Sequence, residues 1–176
     1  MTFRLRLSSC CLAAAVTVVL AGPGAAAPVP TWEKVVTKGS SRFKVLPQFG
    51  DEAVLDKETG LVWERTPSAS LSNWGDSLKI CIGSVIGGRR GWRAPTAWEL
   101  MTLSDPSTDD PSLPLGHPFE GISTVDNYWS STTDPEDATR ALRERFGTGG
   151  GGVIIGPKTD LQRRWCVRGP GGDYGQ

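Results

Sequence analysis

Four cysteines, Cys10, Cys11, Cys81 and Cys166, and a single histidine, His117, are the residues best suited to redox, metal or nucleophilic chemistry. What they can do depends on compartment, because thiols stay reduced in the cytosol and oxidise to disulfides outside it. Arg4 and Arg6 precede an apolar run from Leu7 to Ala21, and Ala25-Ala26-Ala27 supplies a small-x-small cleavage site. Residues 1–27 therefore read as a secretory signal, with the mature chain beginning near Pro28 in a secreted or periplasmic setting. The run is too short to cross a bilayer and Gly22-Pro23-Gly24 ends it, so no stable membrane anchor is expected after cleavage. Cys10 and Cys11 open that run, whereas a lipid-bearing cysteine would follow it, and they leave with the signal. Cys81 and Cys166 remain as an even pair, for which a disulfide is the default. The bridge would close a loop of 85 positions (166 minus 81) and add roughly 4 to 5 kcal/mol in the chain-entropy model.

Other chemistry finds little support. With one histidine and no C-x-x-C, a metal centre lacks ligands, so no metal and no cofactor are expected. Ser130-Ser131 lacks the G-x-S-x-G turn and His117 lies in a Gly-His-Pro turn with no acid assigned to it, so no catalytic residue is expected either. Gly151 to Thr159 imitates a phosphate loop, but Pro157 separates Gly156 from Lys158 and no helical pattern follows. Asp134-Pro135-Glu136 and Asp126-Asn127 are rich in oxygen, yet turns use the same residues as calcium loops.

Charge and aromatics leave recognition as the open question. Nineteen basic residues balance 19 acidic ones, and loss of Arg4 and Arg6 leaves 17 against 19, a formal charge of −2. That balance argues against a nucleic-acid partner, whose affinity would rest on many uncompensated phosphate contacts. Local basic groups remain at Arg89-Arg90-Gly91-Trp92-Arg93, at Arg140/Arg143/Arg145 and at Arg163-Arg164. Arg89, Arg90, Arg143 and Arg145 are candidate contacts to a sulfated or carboxylated polymer through bidentate hydrogen bonds, with Glu136, Asp137 and Glu144 at hand to neutralise the second group. Of the seven tryptophans, Trp63, Trp92, Trp129 and Trp165 are assigned to packing. Trp98 and Trp32 are freer, and Trp98 joins the candidate ligand contacts.

The mature length of 149 (176 minus 27) suits one domain with a real core. Residues 28–41 read as a leader, 42–169 as the domain and 170–176 as a flexible tail. Arg42 to Leu46 alternates as a strand, and Ala53-Val54-Leu55-Asp56 and Leu61-Val62-Trp63-Glu64 flank a turn in which Gly60 takes positive φ. Trp74, Leu78, Cys81 and Ile82 recur at helical spacing and aim Cys81 inward, with Gly83 as the stop. Thr96-x-x-Glu99 is a capping box behind Pro95, opening a second helix whose Leu100, Leu103 and Trp98 could face the core. Residues 104–127 form a long irregular stretch, of a length that implies function or its own packing. Asp134 to Gly147 has the local marks of a helix, with Pro135 in the first turn, early acids and late arginines. Val153-Ile154-Ile155 and Arg164 to Arg168 read as strands, with Gly147 to Gly152 as a turn.

Read together, Cys81, Gly91-Trp92-Arg93-Ala94-Pro95-Thr96-Ala97-Trp98-Glu99-Leu100, Tyr128-Trp129-Ser130-Ser131-Thr132 and Trp165-Cys166-Val167-Arg168-Gly169 make an ordered set. Over about residues 42–169 this set resembles the Lcl C-terminal domain family of bacterial secreted domains. The resemblance implies an α+β, C-type-lectin-like fold: two short helices packed on antiparallel sheets, long loops, and one disulfide from the first helix to the last strand. It makes residues 138–146 a strand, against their local helical marks, and gives Trp63, Trp92, Arg93, Pro95, Glu99, Trp129 and Trp165 structural tasks. Ala94 departs from it, standing where a bulky residue is usual.

The function so implied is a non-catalytic exported recognition or adhesion module that binds an extracellular glycan, since one relative binds sulfated glycosaminoglycans. The alternatives are a structural or protein-interaction domain of the cell envelope and, further off, an enzyme akin to the formylglycine-generating oxidases of the wider superfold. The last would need a reactive cysteine pair or several histidines.

Overall fold

The computed structural model describes residues 38–148 and 151–169. The proposed signal, most of the leader with Trp32, and the tail from residue 170 lie outside the described residues. A one-turn helix α1 (Gly39–Arg42) straddles the expected start of the domain and feeds β1 (Phe43–Val45). After a 3-10 turn at Pro47–Phe49 come β2 (Ala53–Asp56) and β3 (Val62–Glu64), the expected hairpin, with Gly60 at φ 74°. β4 (Ser68–Ser72), α2 (Trp74–Gly83) and α3 (Ala97–Met101) follow, then β5 (Asn127–Thr133), β6 (Arg140–Arg145), β7 (Gly152–Pro157), β8 (Gln162–Arg164) and β9 (Val167–Arg168). The strands form a four-stranded sheet β1-β2-β3-β9 and a five-stranded sheet β4-β8-β5-β6-β7, antiparallel except where β8 runs parallel to β5. The fold is α+β with few short helices, as the resemblance implies.

Large aromatics fill the space between the sheets. Trp165 is fully buried and touches the rings of Trp63, Phe119, Tyr128 and Phe146 at centroid distances of 4.9–5.6 Å, mostly edge to face. Trp63, Trp92 and Trp129 are buried as well, so all four motif tryptophans pack. A buried ion pair anchors the first sheet: Arg42 donates from Nε and Nη2 to the two carboxylate oxygens of Asp56, at 2.9 and 2.7 Å. Its worth lies in geometry, since two desolvated charges stabilise only when every lone pair is met.

One expectation holds against its local pattern, and three change. Residues 140–145 are a strand, as the resemblance implies: pairing with β5 and β7 outweighs a weak local helical preference. Arg164 to Arg168 is two strands in different sheets; the chain crosses at Trp165 and Cys166, where the indole Nε1 donates to the Glu64 carbonyl at 2.7 Å. Ile82 is 69% exposed, because the buried stripe of α2 is Ser77 and Cys81, and the next residue turns about 100° away from it. Trp98 is 71% exposed, while Leu100 and Leu103 are buried. β4 was not expected; three of its five residues are serines, and the alternating Ala69 and Leu71 are exposed.

Candidate functional site

Cys81 and Cys166 are bonded, with Cα atoms 5.4 Å apart, and both are buried. Asn73 caps α2 by accepting from the Asp76 N–H at 2.9 Å, and the helix carries Cys81 inward to the chain crossing at Cys166. Beside the bridge, Arg93 and Val167 exchange two backbone hydrogen bonds of 2.9 Å, which tie the Gly91 to Pro95 segment to the edge of β9. Thr96 and Glu99 form the expected capping box. Arg93 adds a bidentate pair to Glu99, Nη1 to Oε2 at 2.7 Å and Nη2 to Oε1 at 2.6 Å. Burial alone would raise the Glu99 carboxyl, but the Arg93 guanidinium and the Thr96 N–H outweigh it and hold the group below its usual value. Arg93, Pro95 and Glu99 are thus committed to scaffold. Ala94 lines an open groove of about 250 Å3 together with Leu78, Ile82 and Ser131.

The surface next to this scaffold is basic. Ile86 and Arg89 close a tight turn with paired backbone bonds, and its two central residues, Gly87 and Gly88, both hold positive φ. Gly87 is required twice over, since a Cβ there would lie within 2.3–2.6 Å of Phe49. Its N–H donates to Glu52 Oε2 at 2.6 Å. The turn sets the Arg89 guanidinium 5.8 Å from the centre of the Phe49 ring, and Arg168, from β9, comes within 5.9 Å of the same ring. Phe49 itself leans edge-on against buried Trp92, whose Nε1 donates to the Arg89 carbonyl at 2.8 Å. Arg89, Arg90 and Arg168 have no carboxylate within ion-pair distance among the described residues.

The other basic group is different. Arg143 is spent: its side chain is nearly buried, Nη1 meets Asp160 Oδ2 at 2.9 Å, and the guanidinium rests over Trp129. Glu144 is no neutralising surface acid. It is buried, accepts from the Ser104 hydroxyl at 2.8 Å, and burial pushes its carboxyl up. Arg145 is exposed on β6 of the five-stranded sheet, whereas Arg89 lies on a turn outside both sheets. Arg163 is held by Asp126 at 2.7 Å. Of the expected contacts, then, Arg89 and Arg90 come together, Arg145 and Trp98 stand elsewhere, and Arg143 is occupied. Phe49 and Arg168 were missed; Arg168 was visible in the Trp-Cys-Val-Arg-Gly motif, whereas nothing local marks Phe49.

The remaining polar groups are structural. Ser130 is buried and donates to the Leu142 carbonyl at 2.6 Å, and His117 Nδ1 accepts the Phe119 N–H at 3.2 Å, its basicity lowered by burial. Asp134 accepts the Glu136 N–H within its turn, and Asp126 is taken by Arg163 and Ser123. Gly152–Pro157 is a strand in which no helix follows the glycines. Among the described residues no three metal-ligating side chains gather. Burial pushes the Glu64 carboxyl up to about 7, against the pull of the Cys166 N–H and nearby Arg164.

Two short sheets, a helix-borne disulfide and a GWR turn locked to its capping box define a small disulfide-closed α+β domain. The chain belongs to the Lcl C-terminal domain family, whose model matches residues 52–168. No curated protein matches it.

Proposed function

We propose that the protein is an exported, non-catalytic recognition module that binds an anionic glycan through Arg89, Arg90, Arg168 and Phe49. The observation that carries this reading is how the unpaired arginines group: among the described residues Arg42, Arg65, Arg93, Arg143 and Arg163 each meet a carboxylate, and of those that do not, Arg89 and Arg168 converge on one ring, Phe49, with Arg90 beside them. Guanidinium forks suit sulfate and carboxylate, and an apolar ring between them suits the C–H face of a sugar. Export is part of the reading, supported by the signal-like N-terminus and by the cystine. The lectin-like resemblance points the same way. The cysteines are consumed by their bond, which favours recognition over oxidase chemistry.

Retention on immobilised heparin at low salt tests the proposal, with a glycan array for breadth. The Arg89→Glu/Arg168→Glu double variant should lose retention without a change in melting temperature, and retention should fall steeply with salt, as screening over about 8 to 10 Å requires. No retention of the native protein, or retention surviving the double reversal, would move the assignment to an envelope protein partner. Leu115 and Val125, exposed in the 104–127 segment, favour that second reading.

A further inference from the structure

Buried polar groups without a hydrogen-bond partner are few in native domains, and each calls for an explanation. Glu144 and Ser112 supply two of them, in one place. Glu144 is 1% exposed; its Oε1 accepts from the Ser104 hydroxyl at 2.8 Å, and its Oε2 has no protein partner. Ser112 is fully buried, and its Oγ has no protein partner either. Among the described residues no basic side chain pairs with Glu144. Its cross-strand neighbours, Tyr128 on β5 and Val153 on β7, bring no positive charge.

Gly151 shows how closely the oxygens gather. A Cβ added there would meet Ser112 Oγ at 2.8 Å, Ser104 Oγ at 3.0 Å and the Arg145 carbonyl oxygen at 3.1 Å. Oxygens from three segments thus surround one point, and the Ser104 hydroxyl joins them to the Glu144 carboxyl. The backbone that carries them is pinned. Ser104 donates its N–H to the Met101 carbonyl at the end of α3 at 3.1 Å, and Ser112 donates to the Phe146 carbonyl at 3.1 Å while accepting the Asp105 N–H at 3.0 Å. An open cleft of about 210 Å3 runs along Arg145, Gly151 and Gly152.

We infer that Glu144, Ser104, Ser112 and the Arg145 carbonyl hold one alkali-metal cation, a structural ion that ties the segment after α3 to β6 and to the start of β7. A carboxylate left charged and alone in a low-dielectric interior is costly, so it must be neutralised. A proton on the carboxyl would meet the charge and not the Ser112 hydroxyl, which bonds to neither carboxylate oxygen. A water would meet the hydrogen bonds and not the charge. A metal cation does both, since one ion takes lone pairs from carboxylate, hydroxyl and carbonyl oxygens together. The charge selects the ion: one carboxylate balances one positive charge, whereas calcium sites gather more acid and magnesium keeps its waters. The expectation of no metal centre rested on histidine and thiolate ligands, and an oxygen-only site needs neither. None of these residues belongs to the Phe49 patch, so this inference and the proposed recognition stand or fall separately.

The test is the melting temperature of the purified protein, cystine intact, dialysed into choline chloride and titrated with sodium or potassium chloride at constant ionic strength. For a dissociation constant of about 10 mM, an alkali cation at about 0.1 M should raise the midpoint by about 3 to 6 °C over choline. Above that constant the midpoint should climb with the logarithm of the cation concentration, as binding of one ion to the folded state requires. Glu144→Gln keeps the shape, removes the charge and should melt at one temperature in all three salts. Ser112→Ala removes one oxygen and should cut the shift by at least half; should Glu144→Gln fail to fold, this variant and the native comparison decide. A native midpoint equal in choline, sodium and potassium, which a proton or a water at Glu144 would give, would overturn the inference. So would a shift that survives Ser112→Ala in full, or a gain from millimolar calcium with none from sodium or potassium.

Discussion

Arg89 to Arg93 and Arg140 to Arg145 each carry three arginines and each gives one of them an acid, Glu99 for Arg93 and Asp160 for Arg143, yet the fold places the remaining two differently. Arg140, Arg143 and Arg145 lie on β6, an interior strand with β5 on one side and β7 on the other. There the β7–β8 connection brings Asp160 to Arg143, and the neighbouring strand brings a carbonyl to Arg140. Arg89 and Arg90 stand on a tight glycine turn outside the sheet hydrogen bonding, where Glu52 accepts the Gly87 N–H, and Arg93, tied to β9, takes Glu99. A cationic cluster in sequence therefore stays a cluster in space where a turn holds its free arginines side by side, as it does Arg89 and Arg90. Interior strands are poor places for one, and turns are good ones.

The scaffold beneath the free cluster depends on the cystine, so breaking it should have the largest effect. Cys81→Ser should lower stability by roughly 2 to 5 kcal/mol, measured by urea denaturation, because the unfolded chain regains its loop entropy. Loss of heparin retention should follow unfolding in this variant and not precede it, since Arg168 and Arg93 both hang from the Cys166 crossing.

The next contrast sets Arg93 against Arg143. Arg93→Ala leaves Glu99, a carboxylate held low by that guanidinium, with its capping bonds alone, and should cost about 2 kcal/mol, less than a fully buried pair because Arg93 is partly exposed. Arg143→Ala should cost about 1 kcal/mol, since Asp160 can turn to water. Neither should reduce heparin retention of the folded protein. Weaker retention in Arg143→Ala at unchanged stability would erase the distinction between the clusters.

These contrasts also show what could be read from the sequence. The capping box, the hairpin, the four buried tryptophans and the cystine were legible because each is fixed by neighbours in sequence or by the lack of any other partner. The Arg143–Asp160 pair, the burial of Glu144, the division of Arg164 to Arg168 between two sheets and the convergence of Phe49 with Arg168 were not. Each depends on segments far apart in the chain, and Glu144 in particular looked like a surface acid among arginines until β6 turned it toward Ser104.

A pH series separates the scaffold from the patch without touching an arginine. The Glu64 carboxyl, raised by burial to about 7 from an ordinary 4.5, binds its proton more tightly in the folded state. Its contribution is fully present below pH 4.5 and is lost as pH rises through 7, on the order of 1 to 3 kcal/mol. Glu99 has the opposite sign, favouring the folded state above its unfolded pKa and losing that contribution as pH falls. Glu64→Gln should therefore flatten the stability profile between pH 4.5 and 7 while leaving any acid-side loss in place. A variant profile superimposable on the native one would show that Glu64 is solvated.

The smallest effect expected concerns the ring between the free arginines. Both guanidinium contacts to Phe49, at 5.8 and 5.9 Å, lie near the outer limit of cation–π attraction, so together they are worth only about 0.5 to 1 kcal/mol. Phe49→Leu keeps an apolar side chain against Trp92 and removes the π face, and should leave the melting temperature within a few degrees of native. If the ring only supports the arginines, heparin retention should persist and elute at slightly lower salt. If it also contacts sugar, retention should fall as far as in Arg168→Glu, while binding of plain sulfate, which has no C–H face to stack, stays as in the native protein. Equal loss for heparin and for sulfate would assign the ring to positioning alone and leave recognition to Arg89, Arg90 and Arg168.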